Sequence, residues 1–275
     1  RNFDRERVLL FDEKQVFDEV LEENEFPLFS NSYLLVVGGA PNVVYAKFSN
    51  DRAAEWAVRT LIVRDAPGKL HVEKLPDTES ACGHLMHTRR AYDCLSSRYE
   101  GTKIAINACR EVGEDASQGL SFSFCNGRTL ETLLDECLAR ADVQGFKALI
   151  DEYMYWAGYN EDAVEASNID FIFPNILVDR QGDEEQWHVI DYEWTLDRHV
   201  PSRDIIFRAF YNYTLGGGMR KACEDLLMRD ILGLTDEQLQ EGIAQERRFQ
   251  MEITGNHSSA ENMRELIGNR AYALE

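Results

Sequence analysis

The feature that most constrains this sequence is a change of rhythm at Asn126-Gly127. Upstream of it, short apolar runs alternate with turn signals. Residues 43–48, 56–63 and 70–75 read as strands, the last two joined by the turn Asp65-Ala66-Pro67-Gly68-Lys69. One helical interval interrupts them, 78–95, with Thr78 as N-cap and Glu79 in the first turn. Residues 103–112 and 120–125 return to strand. Downstream, apolar residues recur at helical spacing over 129–139 and 143–156. Two short strand-like runs, 176–178 and 188–190, flank the polar turn 180–186. Beyond Pro201 nearly everything is helical, with a capping box at Thr235-Asp236-Glu237-Gln238. Strands with one helix, then helices around a small hairpin, predict a two-lobed α+β fold.

At 275 residues and 44% hydrophobic content, the chain can build one large or two small cores. Its formal net charge of −20 disfavours nucleic acid and anionic membrane surfaces. A phosphate ligand would therefore need locally placed cations or metal ions. The six cysteines form no C-x-x-C pair, which predicts a reduced, cytoplasmic protein and no zinc site. No apolar run reaches the roughly 18–20 residues of a membrane span, so no transmembrane segment is expected. Residues 13–23 read as an amphipathic helix and 33–37 as a strand ending at Gly38-Gly39. The first residue is Arg1, not Met, which suggests a piece cut from a longer protein.

The polar residues set among the most apolar neighbours lie at 168–194. "NIDFIFPNILVD" places Asp170 five residues before Asn175, and "VIDYEW" follows with Asp191. This wording resembles the catalytic signature of protein-kinase-like folds, H-R-D-L-x-x-x-N, followed by a metal-binding Asp. Asn168 and Ile169 stand where that signature has His and Arg. "IDYEW" is closer to the choline kinase and aminoglycoside phosphotransferase pattern than to Asp-Phe-Gly. The resemblance implies a strand-rich lobe over 41–126 and a helical lobe over 127–275, with ATP held between them. It implies that Asp170 orients and deprotonates an acceptor hydroxyl, and that Asn175 and Asp191 hold Mg²⁺ against the phosphates. Glu193 could add a carboxylate or be a plain surface residue.

The same resemblance requires a strand lysine for the α- and β-phosphates. Lys74 in "LHVEKL" fills that place, with Lys47 the competitor if the strands are counted one earlier. Glu79 is the expected helix partner of that lysine. The adenine-binding connection would be Ser123, Phe124 and Cys125. The glycine-rich phosphate loop is missing from 50–55; on the alternative count the turn is 38–42. The segment between Asp191 and the helix near Ile205 is too short to dock a polypeptide. A small-molecule or glycan acceptor is therefore expected, and a protein kinase is disfavoured. The missing His and glycines keep a catalytically weak pseudokinase, binding nucleotide or a partner, as the competing class. The wording further resembles bacterial proteins of surface polysaccharide synthesis in which a methyltransferase precedes a kinase-like domain. Residues 1–40 would then be a linker or the end of that upstream domain.

Overall fold

The computed structural model describes residues 19–23, 25, 42–49, 52–65, 68–161, 165–181 and 184–255. The chain divides into two compact units, residues 1–42 with 258–275, and residues 43–257. In the first, 19–22 are helical; the expected strand at 33–37 lies outside the described residues. The second unit carries the candidate site.

It opens with strands β1 (Asn42–Phe48), β2 (Val58–Arg64) and β3 (Leu70–Pro76). β2 and β3 form an antiparallel hairpin, with Val58 opposite Pro76 and Arg64 opposite Leu70. Gly68 closes its turn at φ 86°, a conformation that side chains resist. Thr78 caps the next segment as expected, its Oγ1 accepting from the Ala81 N–H at 3.2 Å. A single 3₁₀ turn, Glu79–Ala81, leads into helix α1 (Cys82–Arg98). Leu85, Ala91 and Leu95 on its inner face join Val58, Leu120 and Phe122 in one apolar cluster. Truncating a fully buried leucine such as Leu85 costs about 2–5 kcal/mol, so this face fixes the helix on its sheet.

The interval 103–112, expected as one strand, is two. β4 (Ile104–Ile106) runs parallel to a later strand, whereas β5 (Cys109–Glu111) pairs with β6 (Leu120–Ser123). The break falls at Asn107, whose N–H is donated to Val189 O rather than to the first sheet. Periodicity could not see this, because both pieces share the period of two. The first sheet has the order β1-β2-β3-β6-β5.

After Asn126-Gly127 come β7 (Arg128–Thr129), α2 (Leu130–Ala139) and α3 (Val143–Ala157). A Cβ on Gly127, at φ 132°, would lie 3.0 Å from the carbonyl oxygen of Val178, so the close approach of β7 needs glycine. Then follow β8 (Ser167–Asn168), β9 (Ile176–Gln181), β10 (Glu184–Val189) and β11 (Thr195–Leu196). The second sheet is ordered β4-β10-β9-β7. The β9–β10 hairpin is longer than expected: residues 180–186, read as a turn, mostly continue the strands. Exposed Arg180 bonds Glu185 across them at 2.6 Å, which lets a polar sequence stay in register. The described residues end with α4 (Ser202–Thr214), α5 (Gly218–Ala222), a π-helical turn and α6 (Asp236–Ile253), the last opened by the capping box at Thr235. The helices and the hairpin share a core that includes Tyr153, Phe173, Trp187 and Phe210.

Candidate active site

The hairpin brings Asn175 and Asp191 together. Val189 stands opposite Ile176, and the Ile190 N–H donates to Asn175 O at 2.9 Å. Asp191 follows at φ 55°, a left-handed backbone that Asp tolerates better than most residues. Its carboxylate is partly exposed and pairs with Lys74 Nζ. Lys74 points from β3, the central strand of the first sheet, so this ion pair joins the sheet to the end of the hairpin. Lys47, the competing lysine, is exposed on β1.

Lys74 has a second carboxylate. Glu193, only 3% exposed, accepts from Lys74 at 3.3 Å and from the Arg52 guanidinium at 2.6 Å. His84 Nε2 lies 3.4 Å from the same oxygen that Lys74 approaches. Burial by itself would raise the Glu193 carboxyl, yet the Lys74 and Arg52 cations and the contact with His84 hold it well below the usual range. Burial would likewise lower Lys74, but Asp191 and Glu193 outweigh it and the amine is raised. Glu193 is thus neither a surface residue nor interchangeable with a water-facing carboxylate. Glu79, the expected partner of Lys74, is exposed on the 3₁₀ turn and makes no bond with it. On that turn it stays at the surface, whereas the Lys74 side chain is buried.

Asp170 sits on the other side. Its N–H donates to Asn168 Oδ1 at 2.9 Å, and its own carbonyl accepts from Asn175 Nδ2 at 3.0 Å. Asn168 is also paired to Thr195 through β8 and β11, and Ile169 N donates to Trp194 O at 3.0 Å. The loop is therefore stitched to the segment that carries Asp191 and Glu193. Phe171 and Phe173 brace it from below: Tyr153 stacks on Phe171, meets Phe173 edge-on, and donates its hydroxyl to Phe171 O at 2.7 Å.

The Asp170 carboxylate is buried and accepts from Arg208 of α4 at 3.2 Å. Burial raises its pKa to about 6, and Arg208, shared with Glu246 of α6, only partly opposes this. Arg208 also lies over Phe249, 4.4 Å from the ring centre. Ile169, Arg208, Glu246 and Phe249 border a cavity of about 680 Å³ between α4 and α6. Arg52, His84, Arg208 and Glu246 were not singled out as site residues from the sequence. For Arg208 a signal existed, since it is the lone charge in the apolar run 205–211.

Ser123 ends β6 opposite His71, and Phe124 and Cys125 continue beyond the ladder toward β7, so the connection between the sheets is where it was expected. For Mg²⁺ the donor set fits a hard cation: Asp191 would offer a carboxylate and Asn175 an amide oxygen at the hairpin end. No group of three or more His, Cys, Asp or Glu residues able to cage a metal occurs among the described residues. No described helix is long and apolar enough to cross a membrane.

No family model matches the sequence, and no curated protein matches it significantly. Among solved structures, the Rio2 kinase of Chaetomium thermophilum, in its ADP/Mg²⁺-phosphoaspartate complex, is 13% identical, covering 73% of this chain and 71% of that one at a TM-score of 0.35. The macrolide 2'-phosphotransferase MphH of Brachybacterium faecium is 13% identical over 87% of this chain and 98% of that one, with a TM-score of 0.35. A type I macrolide 2'-phosphotransferase is 11% identical over 86% and 97%, again at 0.35. Superpositions this loose carry no residue correspondences. The architecture stands on its own geometry: an antiparallel sheet with one helix, a short connection, and helices around a hairpin ending in Asn175 and Asp191. The fold is kinase-like.

Proposed function

We propose that the chain is an ATP- and Mg²⁺-dependent phosphotransferase acting on a hydroxyl of a small molecule or of a glycan end. The observation that carries this reading is the ion pair of Lys74 with Asp191, formed between two sheets beside Asn175. Lys74 would neutralise the α- and β-phosphates, keeping Glu193 as its anchor when Asp191 turns to a metal. Asn175 and Asp191 would hold Mg²⁺, which supplies charge neutralisation of the transferring phosphoryl group. Asp170, fixed by its neighbours' hydrogen bonds, orients the acceptor hydroxyl and takes its proton. The cavity beside Arg208 gives that acceptor an approach, and only β11 and a few residues separate Glu193 from α4. The first experiment is thermal unfolding with and without Mg-ATP. The parent chain should melt higher with both present, and Asp191→Ala should lose that gain. No shift in the parent would sink the reading.

A binding module without turnover is the second reading. It is favoured by Asp170, which is buried and held by Arg208 even before an acceptor arrives. Phosphate transfer to a panel of hydroxylated acceptors, glycans included, separates the two.

A further inference from the structure

Residues 49–57, between β1 and β2, contain no glycine, and five of the described N–H groups there are already bonded. Ser49 N bonds Val58 O at 3.1 Å, Arg52 N bonds Ser49 O at 3.2 Å, and Ala53 N bonds Ile253 O at 2.7 Å. Trp56 N and Ala57 N close the 3₁₀ turn on Ala53 O and Ala54 O at 2.9 and 3.3 Å. With these donors taken and no glycine to let others approach closely, the described part of the loop is ill-suited to cradle phosphates the way glycine-rich loops do. It contributes a side chain instead. Arg52 leaves the loop for the interior, where its guanidinium shares one carboxylate, Glu193, with Lys74. One of its amino groups takes Glu193 and the other lies 3.4 Å from Trp56 O, with Trp194 5.4 Å from its centre. A guanidinium has five donors, so hydrogens remain for another anion.

Resting on the phosphotransferase reading, we infer that Arg52 is the second cation of the nucleotide site and grips the phosphates in place of the missing backbone cradle. The chain carries 49 acidic against 29 basic side chains, so a polyanion must be drawn by cations set locally. Lys74 and Arg52 are two such groups, held side by side by a carboxylate that is itself buried. Arg suits the task better than Lys, because its planar fork can hold Glu193 with one edge and a phosphate with another.

The test is calorimetric titration of the parent chain, Arg52→Gln and Arg52→Lys with ATP and with adenosine, at one fixed Mg²⁺ concentration. Loss of a charge-assisted contact should weaken ATP about tenfold or more in Arg52→Gln, leaving adenosine within about twofold of the parent. Arg52→Lys, which keeps the charge and most of the stem, should fall between and decides the matter if the Gln variant does not fold. Equal ATP affinity in the parent and the folded variants would overturn the inference while sparing the kinase reading. Equal losses for ATP and adenosine would make Arg52 a support for Glu193 only, and would overturn it too. A parent that binds neither ligand removes both this inference and the reading beneath it.

Discussion

Glu193 and Asp170 are both buried carboxylates bonded to an arginine, yet their charges are held in opposite ways. Glu193 has Lys74, Arg52 and His84 around it and is kept ionised far below the usual carboxylate range. Asp170 has one guanidinium, which it shares with Glu246, and burial wins: its pKa climbs to about 6. Two firm cations beside Glu193, against one shared guanidinium and two neighbouring carboxylates acting on buried Asp170, separate the two outcomes. A group that must stay charged to anchor a lysine is over-supplied. On the phosphotransferase reading, the group that takes the acceptor's proton is the under-supplied one.

The sharpest way to break this contrast is at Asp170. Asp170→Asn keeps the shape and removes the base, so phosphate transfer should fall on the order of 10²–10⁴-fold with nucleotide affinity unchanged. Stability should move the other way. The folded state holds the Asp170 proton more tightly than the unfolded chain, whose carboxyl titrates near 3.8. Its contribution is fully present below that value and is lost as pH rises through about 6. Asp170→Asn should therefore unfold at higher temperature than the parent at pH 7, and the gap should close near pH 4. A gap independent of pH would refute the assignment.

Glu193→Gln attacks the over-supplied end. It leaves two buried cations short of their shared anion and should cost about 3 kcal/mol in urea unfolding. A cost near zero would mean that water reaches Lys74 and Arg52. Arg208→Gln sharpens the other end: with its one opposing cation gone, the pH midpoint of transfer should rise above that of the parent, and Arg208→Lys should restore part of the difference. A midpoint that stays put would make Arg208 a packing residue. The smallest effect is a control outside both ends. Thr129→Ala removes the cap of α2, whose Oγ1 accepts from Thr132 N at 3.1 Å, and should cost about 1 kcal/mol without altering ATP affinity.

Local signals made much of this legible in the sequence. The hairpin turn at Gly68, the caps at Thr78 and Thr235, and the strand bearing Lys74 each depend on a few adjacent residues. Partners across the fold were not legible. Lys74 was assigned Glu79, its near neighbour in sequence, because spacing along the chain carries no information on what β3 faces once the second sheet docks. Its carboxylates come from Asp191 and Glu193. For the same reason the interval 103–112 hid its break: both halves have the same alternation, and only the choice of sheet divides them. The brace under Asp170 was partly readable. Phe171 and Phe173 stand beside Asp170 in the quoted segment, whereas Tyr153, which packs on both, lies in a helical stretch with no local signal pointing to them.

The bond from Ala53 N to Ile253 O has a consequence for how the molecule comes into being. The two residues stand near opposite ends of the compact unit spanning 43–257. The loop bearing Arg52 therefore cannot take its final form until α6 has been made and docked, so it belongs to the contacts that close late in folding. Pulse-labelled hydrogen exchange during refolding should show the Ala53 amide protected after those of the β2–β3 hairpin. During synthesis, a chain released before α6 would keep its sheet and its hairpin but never finish the turn between β1 and β2.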